Sequence, residues 1–134
     1  MILGMGTDSV EIPRLDTIYQ KFGARFAKRL FTPLEQAYCE QSPPLRIGRY
    51  AKRFAAKEAC LKALGTGRRG ALSWRDIEVS NNPLGQPFLT LTGGALAHAQ
   101  TLLTDPSWKL RIHLSLSDTR DQAHAVVILE GLHD

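Results

Sequence analysis

From Leu45 to Leu64 the chain carries no proline and, after Gly48, no glycine, and it is dense in Ala, Lys, Arg and Leu. Such residues lose little side-chain freedom in a helix, so one long helix is predicted here, ended by Gly65, whose missing Cβ allows a left-handed cap. Residues stepped at 100° place Tyr50, Phe54, Leu61 and Leu64 on one stripe, with Lys57 inside it and Glu58 and Lys62 along its edge. Charged groups at the border of a buried face are costly unless they have partners. Whatever fold the chain adopts must therefore bury this stripe and answer its ionic groups.

The flanking sequence supplies the other elements. Residues 1–7 read as a short buried strand (Ile2, Leu3, Met5) that ends in Gly-x-Gly-Thr. Asp8-Ser9-Val10-Glu11 then reads as a capping box opening a helix, with Pro13 in its first turn. That helix is predicted to stop at Gly23, with Leu15, Ile18, Tyr19 and Phe22 as its apolar stripe, and a second follows from Ala24. Thr32-Pro33-Leu34-Glu35 restarts a helix, with Thr as N-cap, Pro at the first position and Glu at the third, and Ser42-Pro43-Pro44 ends it. Past a glycine-rich loop, residues 77–79 and 88–91 read as strands joined by a turn-forming stretch, and residues 94–103 as a helix. Trp108, Leu110, Ile112, Leu114 and Leu116 alternate with Lys109, Arg111, His113, Ser115 and Ser117, a strand with one covered face whose hairpin partner is residues 123–130. This order predicts an α+β fold with packed helices on a largely antiparallel sheet, and 134 residues predict a single domain, 1–134.

Composition excludes several classes. The longest aliphatic run, Ala125 to Leu129, is far short of the ~20 residues of a membrane span. The first residues carry no basic segment and reach an acid at Asp8, which is not the pattern of a secretory signal and predicts a cytoplasmic protein. Cys39 and Cys60 stand in no C-x-x-C unit, so both are predicted reduced and buried. Residues 21–69 hold twelve of the 17 Lys and Arg but only Glu35, Glu40 and Glu58 of the 13 acids, nine net positive charges in a chain of net +4. Such a field attracts a polyanion: nucleic acid, an acidic protein or a phosphorylated small molecule.

The individual motifs are each open to a structural reading. Gly65-Thr66-Gly67-Arg68-Arg69-Gly70 matches G-x-G-x-x-G, yet it closes a helix where a dinucleotide fingerprint must open one. It could still cradle phosphate if its N–H groups form a nest. Glu58 and Lys62 are spaced as a simple i,i+4 surface pair, and Asp8 as a simple N-cap. His98, His113, His124 and His133 show no metal-binding spacing, and Ser115 and Ser117 lack a nucleophile elbow. Phe22, Phe26, Phe31, Tyr50 and Phe54 accompany the basic segment at helical spacing, which suits a core better than base stacking, so a noncatalytic nucleic-acid-binding domain rests on charge alone.

Taken together, Leu3-Gly4-Met5-Gly6-Thr7-Asp8, Arg53-Phe54-Ala55-Ala56-Lys57-Glu58-Ala59 with Lys62-Ala63-Leu64-Gly65-Thr66-Gly67, Gly85-Gln86-Pro87, and Leu114-Ser115-Leu116-Ser117-Asp118 resemble the holo-[acyl-carrier-protein] synthases, short 4'-phosphopantetheinyl transferases. The resemblance spans essentially the whole chain. It implies transfer of 4'-phosphopantetheine from coenzyme A to a serine of apo acyl carrier protein, with Mg²⁺, in fatty acid biosynthesis, with release of adenosine 3',5'-bisphosphate. It also implies a homotrimer with sites between subunits, and neither nucleic acid nor membrane as partner. Asp8 and Glu58 match the family's magnesium ligands. Lys62 matches a lysine that contacts the phosphates and assists proton transfer or stabilises charge. Gly65, Thr66 and Gly67 match the loop around the nucleotide end of coenzyme A, Arg53 a phosphate contact, and Arg14, with Arg25 nearby, a contact to the acidic carrier. Asp118 departs from the pattern, since many members have His there, which removes this position as a phosphate-binding cation or histidine base.

Overall fold

The structure is a computed structural model that describes residues 1–66 and 72–133. In chain order they form β1 (Ile2–Glu11), α1 (Ile12–Phe22), α2 (Ala24–Leu30), α3 (Pro33–Glu40), α4 (Arg46–Leu64), β2 (Ile77–Asn81), β3 (Pro87–Leu91), α5 (Gly93–Thr101), β4 (Lys109–Asp118) and β5 (Gln122–Leu132). Single 3-10 turns lie at Pro43–Leu45 and Trp74–Asp76. The strands are antiparallel throughout and divide between a three-stranded sheet, β1-β5-β4, and the hairpin β2-β3. The α+β expectation holds, with two sheets in place of one.

The first strand departs from its predicted limits. It runs on through Asp8 to Glu11 and pairs with β5 along that length, Asp8 opposite Ala125 and Glu11 opposite Gln122. No capping box forms at residues 8–11: the N-cap of α1 is Glu11, whose side chain makes no cap hydrogen bond. The long partner strand offers ladder hydrogen bonds to the backbone of residues 8–11, which satisfy more polar groups than one side-chain cap would. Pro13 fits the first turn of the displaced helix. The capping box at Thr32 and Glu35 does form, since the Thr32 N–H donates to Glu35 Oε1 at 2.9 Å and Thr32 Oγ1 accepts from the Glu35 N–H at 3.3 Å.

Helix α4 matches the predicted segment and ends at Gly65, left-handed at φ 81°. It is buried on nearly every side, because beside Tyr50, Leu61 and Leu64 it also buries Ala51, Ala55, Ala56, Ala59, Cys60 and Ala63. Small residues at positions 55, 59 and 63 leave a shallow track along the helix, and β1 lies in it. A Cβ added to Gly4 would stand 2.0 Å from the Ala63 carbonyl oxygen, and one added to Gly6 would stand 1.9 Å from that of Ala59. Strand backbone therefore rests directly on helix backbone. On its other flank α4 meets β2, β3 and α5 around Ile77, Val79, Leu91 and Ala99, while a second cluster of Leu15, Phe26, Phe31, Cys39 and Tyr50 joins α1, α2 and α3 to its N-terminal half.

The charge that the helical wheel placed within the stripe is fully enclosed. Lys57 Nζ pairs with Glu35 Oε1 at 2.7 Å, both side chains having no exposure. It also donates to the carbonyls of Trp74, at 2.9 Å, and Ile77. Glu35 Oε2 accepts in turn from the Val79 N–H at 2.9 Å. Burial pulls the Lys57 ammonium below its ordinary pKa and the adjoining Glu35 carboxylate pulls the other way.

Two glycine substitutions separate contact from conformational freedom. Gly6→Ala forces strand and helix apart and should cost about 3 kcal/mol of unfolding free energy, the upper end for overpacking. Gly48→Ala places a Cβ where nothing lies within 4 Å, inside a helix, and should add about 0.5 to 1 kcal/mol. Urea midpoints at unchanged slope measure both.

Candidate active site

The inward face of β1 carries Gly4, Gly6, Asp8 and Val10 in succession. Because Gly6 sits on Ala59, the next inward residue, ~6.6 Å further along the strand, reaches the flank of α4 where Glu58 and Lys62 project one turn apart. Lys62 Nζ donates to Asp8 Oδ1 and to the Thr7 carbonyl, both at 3.0 Å. The ion pair of Lys62 thus crosses to the strand, and the i,i+4 reading of Glu58 with Lys62 gives way to a three-member cluster. Glu58 is half-buried, and burial and the neighbouring Asp8 carboxylate raise its pKa while Lys62 lowers it. The side chain of Asp8 is 13% exposed and that of Lys62 56%, so their bond is a surface ion pair worth at most about 1 kcal/mol and easily exchanged.

Two carboxylates from different elements, crowded enough to disfavour a second negative charge, offer hard oxygen donors to a divalent cation. The adjacent ammonium offers a contact to phosphate. No group of three or more His, Cys, Asp and Glu gathers among the described residues, so an ion here would keep positions for water or substrate. Gly65 caps α4 about one turn beyond Lys62 and two beyond Glu58, donating its N–H to the carbonyls of Leu61 and Lys62 at 3.1 Å each, and Thr66 follows at once. Gly67, and with it the rest of the glycine pattern through Gly70, lies outside the described residues.

Arg53 is not brought to this cluster. It lies roughly 180° from Lys62 around α4. Only 3% exposed, it donates to Asn81 Oδ1 at 2.7 Å and lies 4.1 Å from the centre of the Tyr38 ring. Its Nε is buried with no hydrogen-bond partner among the described residues, and the side chain lines a recess of about 460 Å³ with Gln41 and Ser80. Asp118, at the end of β4, pairs with Lys52 Nζ at 3.7 Å beside a cavity of about 500 Å³ that Arg49 and Arg120 also line.

The basic segment does not form one continuous surface. Arg53 and Lys57 are buried, Arg46 Nε pairs with Glu40 at 2.7 Å and Lys62 with Asp8. Exposed Arg25 and Arg29 on α2 border an apolar groove of about 440 Å³ lined by Ile18, Phe22, Phe54 and Trp74. Phe22, expected on a buried stripe, is 45% exposed in that groove. Arg14 stands exposed on α1, outside the lining. The groove was missed in the sequence because Phe54 and Trp74 meet it from separate elements. The cradle for β1 had a signal, small residues at positions 55, 59 and 63 against a Gly-x-Gly strand.

A family model described as the 4'-phosphopantetheinyl transferase superfamily matches residues 4–127. Holo-[acyl-carrier-protein] synthase of Cereibacter sphaeroides is 48% identical over 98% of this chain and 94% of its own. That of a Methylobacterium species is 47% identical over 100% and 98%. Among solved structures, the holo-[acyl-carrier-protein] synthase of Neisseria meningitidis superposes with a TM-score of 0.81 at 42% identity, covering 97% of this chain and 99% of that one. The Bacillus anthracis enzyme, solved in complex with CoA (3',5'-ADP), gives a TM-score of 0.76 at 33% identity over 96% of each chain. A fold, a conserved length and this similarity over nearly every residue agree: the chain belongs to the holo-[acyl-carrier-protein] synthases of the 4'-phosphopantetheinyl transferase superfamily.

Proposed function

We propose that the protein transfers 4'-phosphopantetheine from coenzyme A to a serine of apo acyl carrier protein, with Mg²⁺, in the cytoplasm and in the service of fatty acid biosynthesis. The convergence of Asp8, Glu58 and Lys62 at the strand–helix contact carries this reading. Asp8 and Glu58 fit a magnesium ion by the chemistry of their donors, two carboxylate oxygens with room for water and phosphate. Bound there, Mg²⁺ would neutralise charge on the pyrophosphate of coenzyme A. Lys62, exchanging Asp8 for phosphate, stabilises charge as the serine oxygen bonds to the pantetheine-side phosphorus, the serine proton passes to water, and adenosine 3',5'-bisphosphate departs with the bridging oxygen. Gly65, Thr66 and Gly67 accommodate the nucleotide end. Arg53, buried away from the cluster and bonded to Asn81, has no part in this step.

The chain, one domain over 1–134, is proposed to act as a homotrimer. The outer face of the β1-β5-β4 sheet presents rows of Met5, Ile128 and His113, then Thr7, Val126 and Ser115, then Ser9, His124 and Ser117. Met5 is 64% and Val126 41% exposed there, an apolar strip that association would cover. The count of three follows from the family resemblance. The acidic carrier is proposed to dock on α1 and α2, an apolar side chain entering the groove by Phe22 and Phe54 while Arg25, Arg29 and Arg14 meet its acids.

The reaction is tested by incubating the protein with coenzyme A, Mg²⁺ and apo acyl carrier protein and weighing the intact carrier. A phosphopantetheine adduct on serine is expected; an unmodified carrier rejects the reading. Asp8→Ala and Glu58→Ala should each lower turnover at least 100-fold with the fold retained by circular dichroism, and the two losses should not multiply, since both serve one ion. Val126→Asp should shift sedimentation from trimer to monomer and take activity with it; a fully active wild-type monomer would disprove the assembly. For docking, Arg25→Glu should raise KM for the carrier several-fold and leave KM for coenzyme A unchanged, with the difference shrinking as salt rises.

A further inference from the structure

We infer that the buried Lys57–Glu35 pair is a positioning device that sets the roll of α4, and through it the place of Glu58 opposite Asp8; the inference rests on the metal-site reading above. Stability alone gives a weak reason for such a pair, because apolar side chains of similar volume commonly serve a core as well or better. Here every valence is directed. Lys57 donates to Glu35 and to the carbonyls of Trp74 and Ile77, while Glu35 accepts from Thr32 and Val79 besides Lys57. One helix position is thereby tied to α3, to the turn before β2 and to β2 itself.

The opposite side of α4 cannot supply this restraint. There Gly4 and Gly6 lie against the Ala63 and Ala59 carbonyls, a contact of backbones with no side chain from either glycine to interlock. It fixes how close strand and helix come, and the apolar packing of Ala125, Val127 and Leu129 beside it is not directional, so the directed bonds that set the roll are those of Lys57 together with the exposed, exchangeable Lys62–Asp8 pair. Side-chain ends ride ~5 to 6 Å from a helix axis, so a roll of 10° moves a carboxylate by about 1 Å. A misplacement of that size in a reacting site can cost about 100-fold in rate. Glu58 follows Lys57 directly, and any roll that the pair prevents would be felt there first.

The readout is Mn²⁺ binding in the presence of coenzyme A, followed by the electron paramagnetic resonance of free Mn²⁺, together with kcat. Lys57→Met combined with Glu35→Gln removes the ion pair and keeps an acceptor for the Val79 N–H. It should bind Mn²⁺ at least tenfold more weakly than the wild type and lose kcat at least tenfold. Ala99→Gly, in α5, supplies a variant destabilised in the same core and should bind within twofold of the wild type. If the double variant does not fold, Glu35→Gln alone decides, with a several-fold loss of Mn²⁺ affinity expected. Wild-type affinity in a folded pair variant, or equal weakening in Ala99→Gly, overturns the inference. A wild-type protein that binds no Mn²⁺ rejects the metal site itself, a separate failure.

Discussion

The seating of β1 on α4 is the constraint from which the rest of the molecule follows. Glycine in a strand costs conformational entropy and forgoes side-chain packing. Gly4 and Gly6 accept that cost because the carbonyls of Ala63 and Ala59 occupy the space that side chains would need. The close approach lets β5, paired to β1, lay Ala125, Val127 and Leu129 over the same helix. It also removes any spacer between the strand's next inward residue and the helix flank, so that Asp8 meets Lys62 directly. A wider strand–helix separation would still bury a core, but it would part the two carboxylates from one another.

Charge is distributed by the same logic. The positive segment serves three purposes that the net count cannot separate. Lys57 is consumed inside the core, and Arg46 joins the Tyr19 and Tyr50 hydroxyls on Glu40, which accepts from them at 3.0 and 2.7 Å and so links α1, α3 and α4. Lys62 reaches across to Asp8 on β1, beside Glu58. Among the described residues, Arg25 and Arg29 of α2 stand exposed beside the apolar groove, where their charge can act outward.

What could be read in the sequence was whatever is local. The α4 boundary, the Thr32 capping box and the alternating β4 strand depend on residues a few positions apart, and each formed within a residue or two of its predicted place. The limit of β1 was misjudged because Asp8-Ser9-Val10-Glu11 suits a cap, and only the length of β5, more than a hundred residues later, decides that a ladder replaces it. The candidate site divides in the same way. Glu58 and Lys62 were linked by helical spacing and Asp8 joined them through family resemblance, whereas the partner that Lys57 required could not be named until α3 folded back to present Glu35. Arg53, three turns of pattern before Gly65, looks like a neighbour of the site in sequence and is turned away from it by the helix's own period.

The charge of the cluster bears on the order in which its parts assemble. Asp8 and Glu58 against Lys62 leave one net negative charge, and burial together with Asp8 already raises the pKa of Glu58. A pyrophosphate approaching this arrangement meets repulsion from two carboxylates, and the one ammonium that could receive it is held on Asp8. A divalent cation held by the two carboxylates, as proposed above, would reverse the sign of the cluster and would compete with Lys62 for Asp8, leaving its ammonium able to turn toward phosphate. On the proposed reading, Glu58 and Asp8 would be poorly suited to receive coenzyme A by themselves and well suited to receive it with a cation. The exposed, exchangeable Lys62–Asp8 bond would make such an exchange inexpensive.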